Sequence, residues 1–351
     1  MADPLRLALV VDSDAFGGAE VYTRHLLRRA PTDVTPVALV AAPVAEHFAG
    51  PHRLSVLPLA RHAEQAPALA AALARLRPDV VHVNLVDPAS NRAAIRAAQQ
   101  VAPTVVTLHL QGDLGPDPAA LRRAYAGVTA AIAPSATIAA QLTRDLGVTV
   151  VHRVRNGVDI PAVPARPAGR LPLSVGAVGR LTGQKGFDLL VAAVAAVDPR
   201  GRRMRVTVAG QGRDAERLRR QAEGLPITFG GLCRDVPALL RGLDIFCLPS
   251  RREALSLALL EAMAHGLPCV TTSVGDTAAA VGEDALVVPP EDHRALAVAL
   301  ARLLDDPVLR VDLGRRARRR AVRDFDAEQM VTETLAVLSA AAGRRPRTAR
   351  R

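Results

Sequence analysis

A single lysine stands among 45 basic residues, every other cation of Lys or Arg type being arginine. Lys185 closes the segment Gly179-Arg180-Leu181-Thr182-Gly183-Gln184-Lys185-Gly186, between a β-branched run ending at 178 and a helical pattern starting near Phe187. A compact, mobile ammonium and an arginine on a Gly-rich turn, at the positive end of a helix, make an anion site suited to phosphates. The segment lacks the glycine-lysine-serine/threonine ending of a Walker A loop, so that cradle is not expected.

Two carboxylates follow in Pro249-Ser250-Arg251-Arg252-Glu253-Ala254-Leu255-Ser256-Leu257-Ala258-Leu259-Leu260-Glu261-Ala262-Met263-Ala264. Glu253 falls in a turn after a strand, and Glu261 falls in a helix expected from about Ser256. On an ideal helix they sit about 80° apart, which is wrong for a metal pair on one face. Beside a helix N-terminus that holds a diphosphate, they suit the role of acceptors for sugar and ribose hydroxyls. Without a ligand, Glu253 reads as a helix cap and Glu261 as a solvated residue. Two other patterns are set aside. Asp12-Ser13-Asp14 is a DxD in the first strand-loop, not after a central strand where a metal-dependent transferase needs it. Gly210-Gln211-Gly212 lacks the third glycine of a dinucleotide fingerprint, which speaks against hydride transfer.

These residues need elements to carry them. Short β-branched runs at 5–12, 36–42, 53–58, 79–84, 103–109 and 130–134, then 173–178, 205–209, 227–230, 244–248, 269–273 and 285–288, alternate with helix-length Ala/Leu/Arg stretches. Continuous apolar strands separated by helices predict parallel sheets covered on both faces. Four prolines and a glycine in 160–172 predict a linker. The expected class is therefore α/β with two Rossmann-like domains, 1–168 and 169–325, a helix at 326–343 that can cross back to the first, and a basic tail at 344–351. Ligands of such sheets bind beyond the carboxyl ends of the strands, and a cleft between the domains is the expected site.

In order and spacing, the Gly-Arg-Leu…Lys-Gly loop and the Glu-x7-Glu segment ending in Glu-Ala-Met-Ala resemble the retaining GT-B glycosyltransferases of family 4. Gly17-Gly18-Ala19-Glu20, Asn156-Gly157-Val158-Asp159 and Asp235-Val236-Pro237 before Asp244-Ile245-Phe246 extend the resemblance from about residue 8 to 335. It implies a first, acceptor-binding domain and a second that binds the donor. Gly17 and Gly18 would lie close to the donor phosphate, and Arg180, Lys185 and Gly186 would form the diphosphate site. Glu253 would take donor-sugar hydroxyls, the amides of Ala254, Leu255, Ser256 and Leu257 would face sugar and phosphate, and Glu261 would hold the ribose. Leu232, Cys233 and Arg234 would lie near the base, and His109 near the reacting centre. Arg180, Lys185, Glu253 and His109 are the expected catalytic set, with no metal and no cofactor beyond the substrate, a UDP-sugar or a GDP-sugar. The acceptor would be a hydroxyl on a glycan, a lipid-linked sugar or a small molecule. The sequence departs from the family pattern at Ala254, where glycine is usual, at Ala279, where many members have an acid, and at Leu110 after His109.

Composition narrows the rest. With no Trp, 2 Tyr and 6 Phe, the chain has little to stack on nucleic-acid bases. Residues 315–323 and 344–351 hold eleven arginines and no acid, equal to the whole net charge of +11. The first run reads as a solvated helical face and the second as a frayed tail, with peripheral contact to an anionic membrane left open and nucleic acid disfavoured. Cys233, Cys247 and Cys269 show no metal or redox spacing and read as reduced thiols. Acidic residues around the first apolar run argue against a signal peptide, and no apolar run reaches spanning length, so a cytoplasmic protein is expected. Two alternatives remain: a nucleotide-sugar 2-epimerase of the same architecture, and a non-catalytic binding protein with an Arg-rich C-terminus.

Overall fold

The computed structural model describes residues 3–165 and 169–344, and the expected basic tail, Arg344 apart, lies outside the described residues. The chain divides into two compact units, one running to Gly157 and resuming at Ala327, the other Val158–Asp326. The first contains β1 (Leu5–Val11), α1 (Gly18–Arg28), β2 (Val34–Ala41), β3 (Arg53–Leu57), α2 (Pro67–Leu76), β4 (Val80–Leu85), α3 (Arg92–Gln99), β5 (Thr104–Leu108), α4 (Pro118–Ala126), β6 (Ala130–Ala133), α5 (Ala136–Arg144) and β7 (Val151–Arg153). The second contains β8 (Leu173–Val178), α6 (Phe187–Val197), β9 (Met204–Ala209), α7 (Ala215–Gln221), β10 (Ile227–Gly231), α8 (Val236–Arg241), β11 (Ile245–Leu248), α9 (Leu257–Ala264), β12 (Cys269–Thr272), α10 (Thr277–Val281), β13 (Leu286–Val288), α11 (His293–Asp305) and α12 (Pro307–Asp324). A last helix, α13 (Ala327–Ala341), returns the chain to the first unit.

Both sheets are wholly parallel, with orders β3-β2-β1-β4-β5-β6-β7 and β10-β9-β8-β11-β12-β13. Each order reverses direction once, between β1 and β4 and between β8 and β11, which opens a crevice beyond the strand ends there. The central strands are buried along their length, as in Val80–Leu85 and Ile245–Leu248, because helices cover both faces. In the first unit Leu7, Leu9, Val105 and Ile132 share a core with Tyr22 and Leu26 of α1 and with Met330, Leu335 and Leu338 of α13. In the second, Val175, Val206 and Ile245 pack with Phe187, Leu190 and Val194 of α6 and Leu296 and Leu300 of α11.

The division of the chain differs from the expected one at residue 168, a position outside the described residues. The start of the proline segment is held by the second unit. Val158 N–H donates to Phe325 O at 2.9 Å, Ala165 N–H donates to His265 O at 2.8 Å, and Arg318 donates to Pro161 O at 2.7 Å. Prolines forbid a regular element there, but they leave carbonyls free to accept from neighbours. The strand β7 was not anticipated. It is a three-residue edge strand, VHR, whose half-exposed pattern carries no apolar run. No helix among the described residues is long and apolar enough to cross a membrane.

Candidate functional site

The second unit assembles its site at the carboxyl ends of β8 and β11, on either side of the point where its strand order reverses. Beyond β8 the chain makes a single 3-10 turn over Gly183–Lys185, closed by Lys185 N–H to Thr182 O at 3.0 Å, and enters α6 through Gly186. Gly186 has φ +63°, and a Cβ there would lie 2.0 Å from Pro249 O. Only glycine lets this turn approach the end of β11 so closely. Arg251 then ties the two loops together. Its guanidinium takes both carboxylate oxygens of Asp188 at 2.7 Å, Glu291 at 2.6 Å and the carbonyl of Gly183 at 2.9 Å. These bonds raise the Arg251 pKa and hold Asp188 below the usual carboxylate range. Backbone and side-chain bonds add to the seam, from Arg251 N–H to Gln184 O at 2.8 Å and from Gln184 to Arg252 O at 2.9 Å.

Held in this way, Lys185 Nζ donates to Glu253 Oε1 at 2.6 Å. Ser250 Oγ donates to the same oxygen at 2.7 Å, and Thr272 Oγ1 fixes the Ser250 carbonyl at 2.5 Å. Glu253 is 8% exposed, yet Oε2 accepts no hydrogen bond among the described residues. A second glycine completes the turn. Gly275, at φ +54°, would place a Cβ 2.0 Å from Glu253 O, while Asp276 N–H donates to Ala254 O at 3.0 Å.

Ala254, Leu255, Ser256 and Leu257 are buried and lead into α9, whose N-terminus has no side-chain cap. An uncapped helix start offers its first amides and its partial positive charge to an anion. Arg180 lies beyond β8, exposed and with no side-chain partner among the described residues. Glu261 is half-buried on α9, and its carbonyl accepts from His265. Leu232, Cys233 and Arg234 follow β10, with Leu232 and Arg234 exposed and Cys233 half-buried. Lys185 and Glu253 are thus in direct contact, and Gly186 seats the loop that carries the lysine. Arg251, Asp188 and Gln184 were not singled out from the sequence, since their roles rest on contacts between segments over 60 residues apart. Ser250 was not either, and its bond to Glu253, three residues on, depends on the conformation of the turn.

Gly17, Gly18 and His109 belong to the first unit. Gly17 precedes α1 and donates its N–H to Glu20 Oε2 at 2.7 Å, and Ser13 bonds the other oxygen of that carboxylate. His109 follows β5. Its Nε2 meets Asn84 Oδ1 at 2.8 Å, and its ring stands edge-on to Tyr22 at 5.0 Å between centroids. Burial, with His82 nearby, pushes the His109 pKa down to about 3, so the imidazole is neutral. Tyr22 in turn bonds Thr334 of α13 at 2.6 Å. The DxD residues do not converge: Asp12 is buried, its carboxyl raised to about 7 by burial, and Asp14 is exposed. Among the described residues no group of three or more His, Cys, Asp or Glu is placed to hold a metal ion. Burial also pushes the Cys247 thiol up to about 12 and that of Cys269 higher still.

Comparison with known proteins places these features in a family. The family described as Glycosyl transferases group 1 matches residues 172–306, and the one described as Glycosyltransferase Family 4 matches residues 16–161. A glycogen synthase of Mycobacterium tuberculosis is 34% identical over 209 residues, covering 56% of this chain and 50% of the relative. A GDP-mannose-dependent alpha-(1-6)-phosphatidylinositol dimannoside mannosyltransferase of the same species is 32% identical over 167 residues, covering 47% and 43%. The matches thus span about half the length of these curated relatives. The structure of Anabaena HepE in complex with UDP and glucose superimposes with a TM-score of 0.77 at 20% identity, covering 96% of this chain and all of that one. At that identity the likeness establishes the fold, two Rossmann-like domains of GT-B type.

Proposed function

The chain belongs to the group 1 and family 4 glycosyltransferases, and from that premise we propose that it moves a sugar from a nucleoside diphosphate sugar to a hydroxyl acceptor, with retention and without a metal. The observation that carries this reading is the Lys185–Glu253 pair, 2.6 Å long and seated against the uncapped start of α9. The ammonium is held by a carboxylate that also accepts from Ser250, so a diphosphate can draw Lys185 away without leaving Glu253 bare. The free Oε2 of Glu253 is suited to a sugar hydroxyl. Arg180, exposed and unpaired, brings a second cation to the diphosphate.

In the reaction proposed, the bond from the anomeric carbon to the diphosphate oxygen breaks as the bond to the acceptor oxygen forms on the same face. The acceptor's proton passes to the departing diphosphate. The leaving group's growing charge is met by Arg180, Lys185 and the amides at the α9 N-terminus, the two cations turning onto the diphosphate when the donor binds. Side-chain cations of this kind do the work a divalent metal does in other transferases, and a carboxylate nucleophile as in retaining glycosidases is not needed.

Two of the curated relatives and structural neighbours are named for different bases, GDP in a mannosyltransferase and UDP in HepE. Thermal stabilisation by UDP-glucose and GDP-mannose, side by side, selects the donor, because a ligand at about 100 times its Kd adds about 2.7 kcal/mol. With the donor known, Lys185→Ala should lower turnover by about 100- to 1,000-fold while melting stays near wild type. Turnover should persist in excess EDTA, and the product's anomeric configuration should match the donor's. Turnover of Lys185→Ala within a few-fold of wild type sinks the assignment, and a metal requirement or inversion sinks the mechanism.

A further inference from the structure

The helix α12 holds seven arginines and two aspartates, and the structure sorts them. Leu313, Gly314, Ala317 and Ala321 face inward, and Gly314 lies so close to Gly266 that a Cβ would stand 2.2 Å from its carbonyl oxygen. Arg310 bonds carbonyls of Leu303 and Leu304, Arg318 bonds those of Ala264 and Pro161, and Arg316 and Arg320 pair with Asp284. The outer face is different. Val308, Val311 and Val322 are 77%, 70% and 47% exposed. At about 100° per residue they share a stripe about 80° wide with Arg315 and Arg319. Arg315 is paired only with Asp312 of its own helix, and Arg319 has no side-chain partner among the described residues. A groove of about 490 Å³ runs beside the stripe, bounded by Pro164, Ala165, Val311, Gly314 and Val322 with arginines at its rim and no acid in its lining.

We propose that this outer face of α12 docks on an anionic phospholipid bilayer. Cations interleaved with apolar side chains along one rigid helix suit the boundary between headgroups and acyl chains, where each finds its own medium. The competing occupants fit less well. A second copy meeting this face about a two-fold axis would set arginine against arginine. A nucleic acid gives three exposed valines nothing to do, and both tyrosines are buried. The proposal concerns where the protein works and does not depend on the reaction proposed above.

The test is co-sedimentation of the full chain with vesicles of phosphatidylcholine alone and with about one third phosphatidylglycerol, at low and high salt. Wild type should sediment with the anionic vesicles, less so at high salt, and weakly with the neutral ones. Arg315→Glu with Arg319→Glu should weaken that binding by about tenfold or more, since each arginine near an anionic surface contributes about fivefold and the two act together. Val311→Ser with Val322→Ser should weaken it several-fold while keeping its salt dependence. All four side chains are exposed, and unchanged thermal melting confirms the fold of each variant. Absence of wild-type binding overturns the proposal, as does binding untouched by the arginine pair. If the arginine pair matters and the valine pair does not, the face is a site for a soluble polyanion or an acidic protein, and the lipid assignment falls.

Discussion

Glu253 keeps Lys185 and Ser250 on one oxygen, and Glu261 sits on the helix behind it. If Glu261 takes the ribose, Glu261→Gln should weaken the free nucleoside diphosphate by at least several-fold, because a carboxylate that accepts from a hydroxyl is hard to replace even where it is half-buried. Glu253→Gln should slow transfer and leave nucleotide affinity nearly unchanged, which calorimetry on both variants measures; equal weakening by the two would end this division of labour. In the first unit the buried titratable groups give a pH signature. Asp12 is raised from 3.8 to about 7 on folding, so between those values the folded chain holds a proton that the unfolded chain releases, and stability falls as pH rises. His82 and His109 are lowered from 6.5 to about 3, so stability falls as pH drops below 6.5 and the unfolded chain takes up protons. Asp12→Asn removes the first effect and keeps the second. Its melting temperature should therefore exceed wild type most near pH 8 and least near pH 4, at about 1.4 kcal/mol per unit of displaced pKa. An equal shift at both ends of the range would show that Asp12 does not take up a proton on folding.

The loops between strands and helices carry the candidate site, and their rigidity comes from two positions with different visibility. Gly186 was legible as a loop glycine. Its particular demand, a left-handed turn against Pro249 O, needed the fold. Gly186→Ala should lower stability by more than about 1 kcal/mol, because both the backbone conformation and the close approach resist a Cβ; denaturant midpoints measure it, and a neutral result would mean that the loop is not seated as described. Arg251 was hidden in an Arg-rich chain, where one more arginine carries no signal. Arg251→Lys should weaken nucleotide binding despite keeping the charge, since a lysine cannot hold both oxygens of Asp188 and Glu291 at once. The strands tell a parallel story. Runs such as Leu5–Val11 and Cys269–Thr272 announce themselves because both faces are buried, whereas Val151–Arg153 is an edge strand with only one neighbour and no need of an apolar run. The division of the chain was misplaced for a similar reason: prolines at 160–172 mark the absence of a regular element, and packing alone decides which unit keeps them.

At the scale of the whole molecule, the second unit is an insertion in the first. Val158 and Asp326 pair as a parallel bridge, so the insertion enters and leaves at one place. The helix α13 lies against β4, β5 and β6 and supplies Met330, Val331, Leu335 and Leu338 to the first core, with Thr334 bonded to Tyr22 and Glu328 to Arg29. Removing one such leucine typically costs about 2–5 kcal/mol against a total stability of about 5–15 kcal/mol. A chain ended at Asp326 should therefore lose the first unit to limited proteolysis while a fragment near 158–326 resists; equal resistance of both units would refute this account of the core. The same arrangement bears on synthesis. A ribosome delivers the first unit's sheet, then the entire second unit, and only after it the helix that seals that sheet. The apolar flank of β4, β5 and β6 must wait uncovered through that interval, so the unit begun first is the one finished last, and the nascent chain carries an exposed surface for which a holding chaperone is the natural companion.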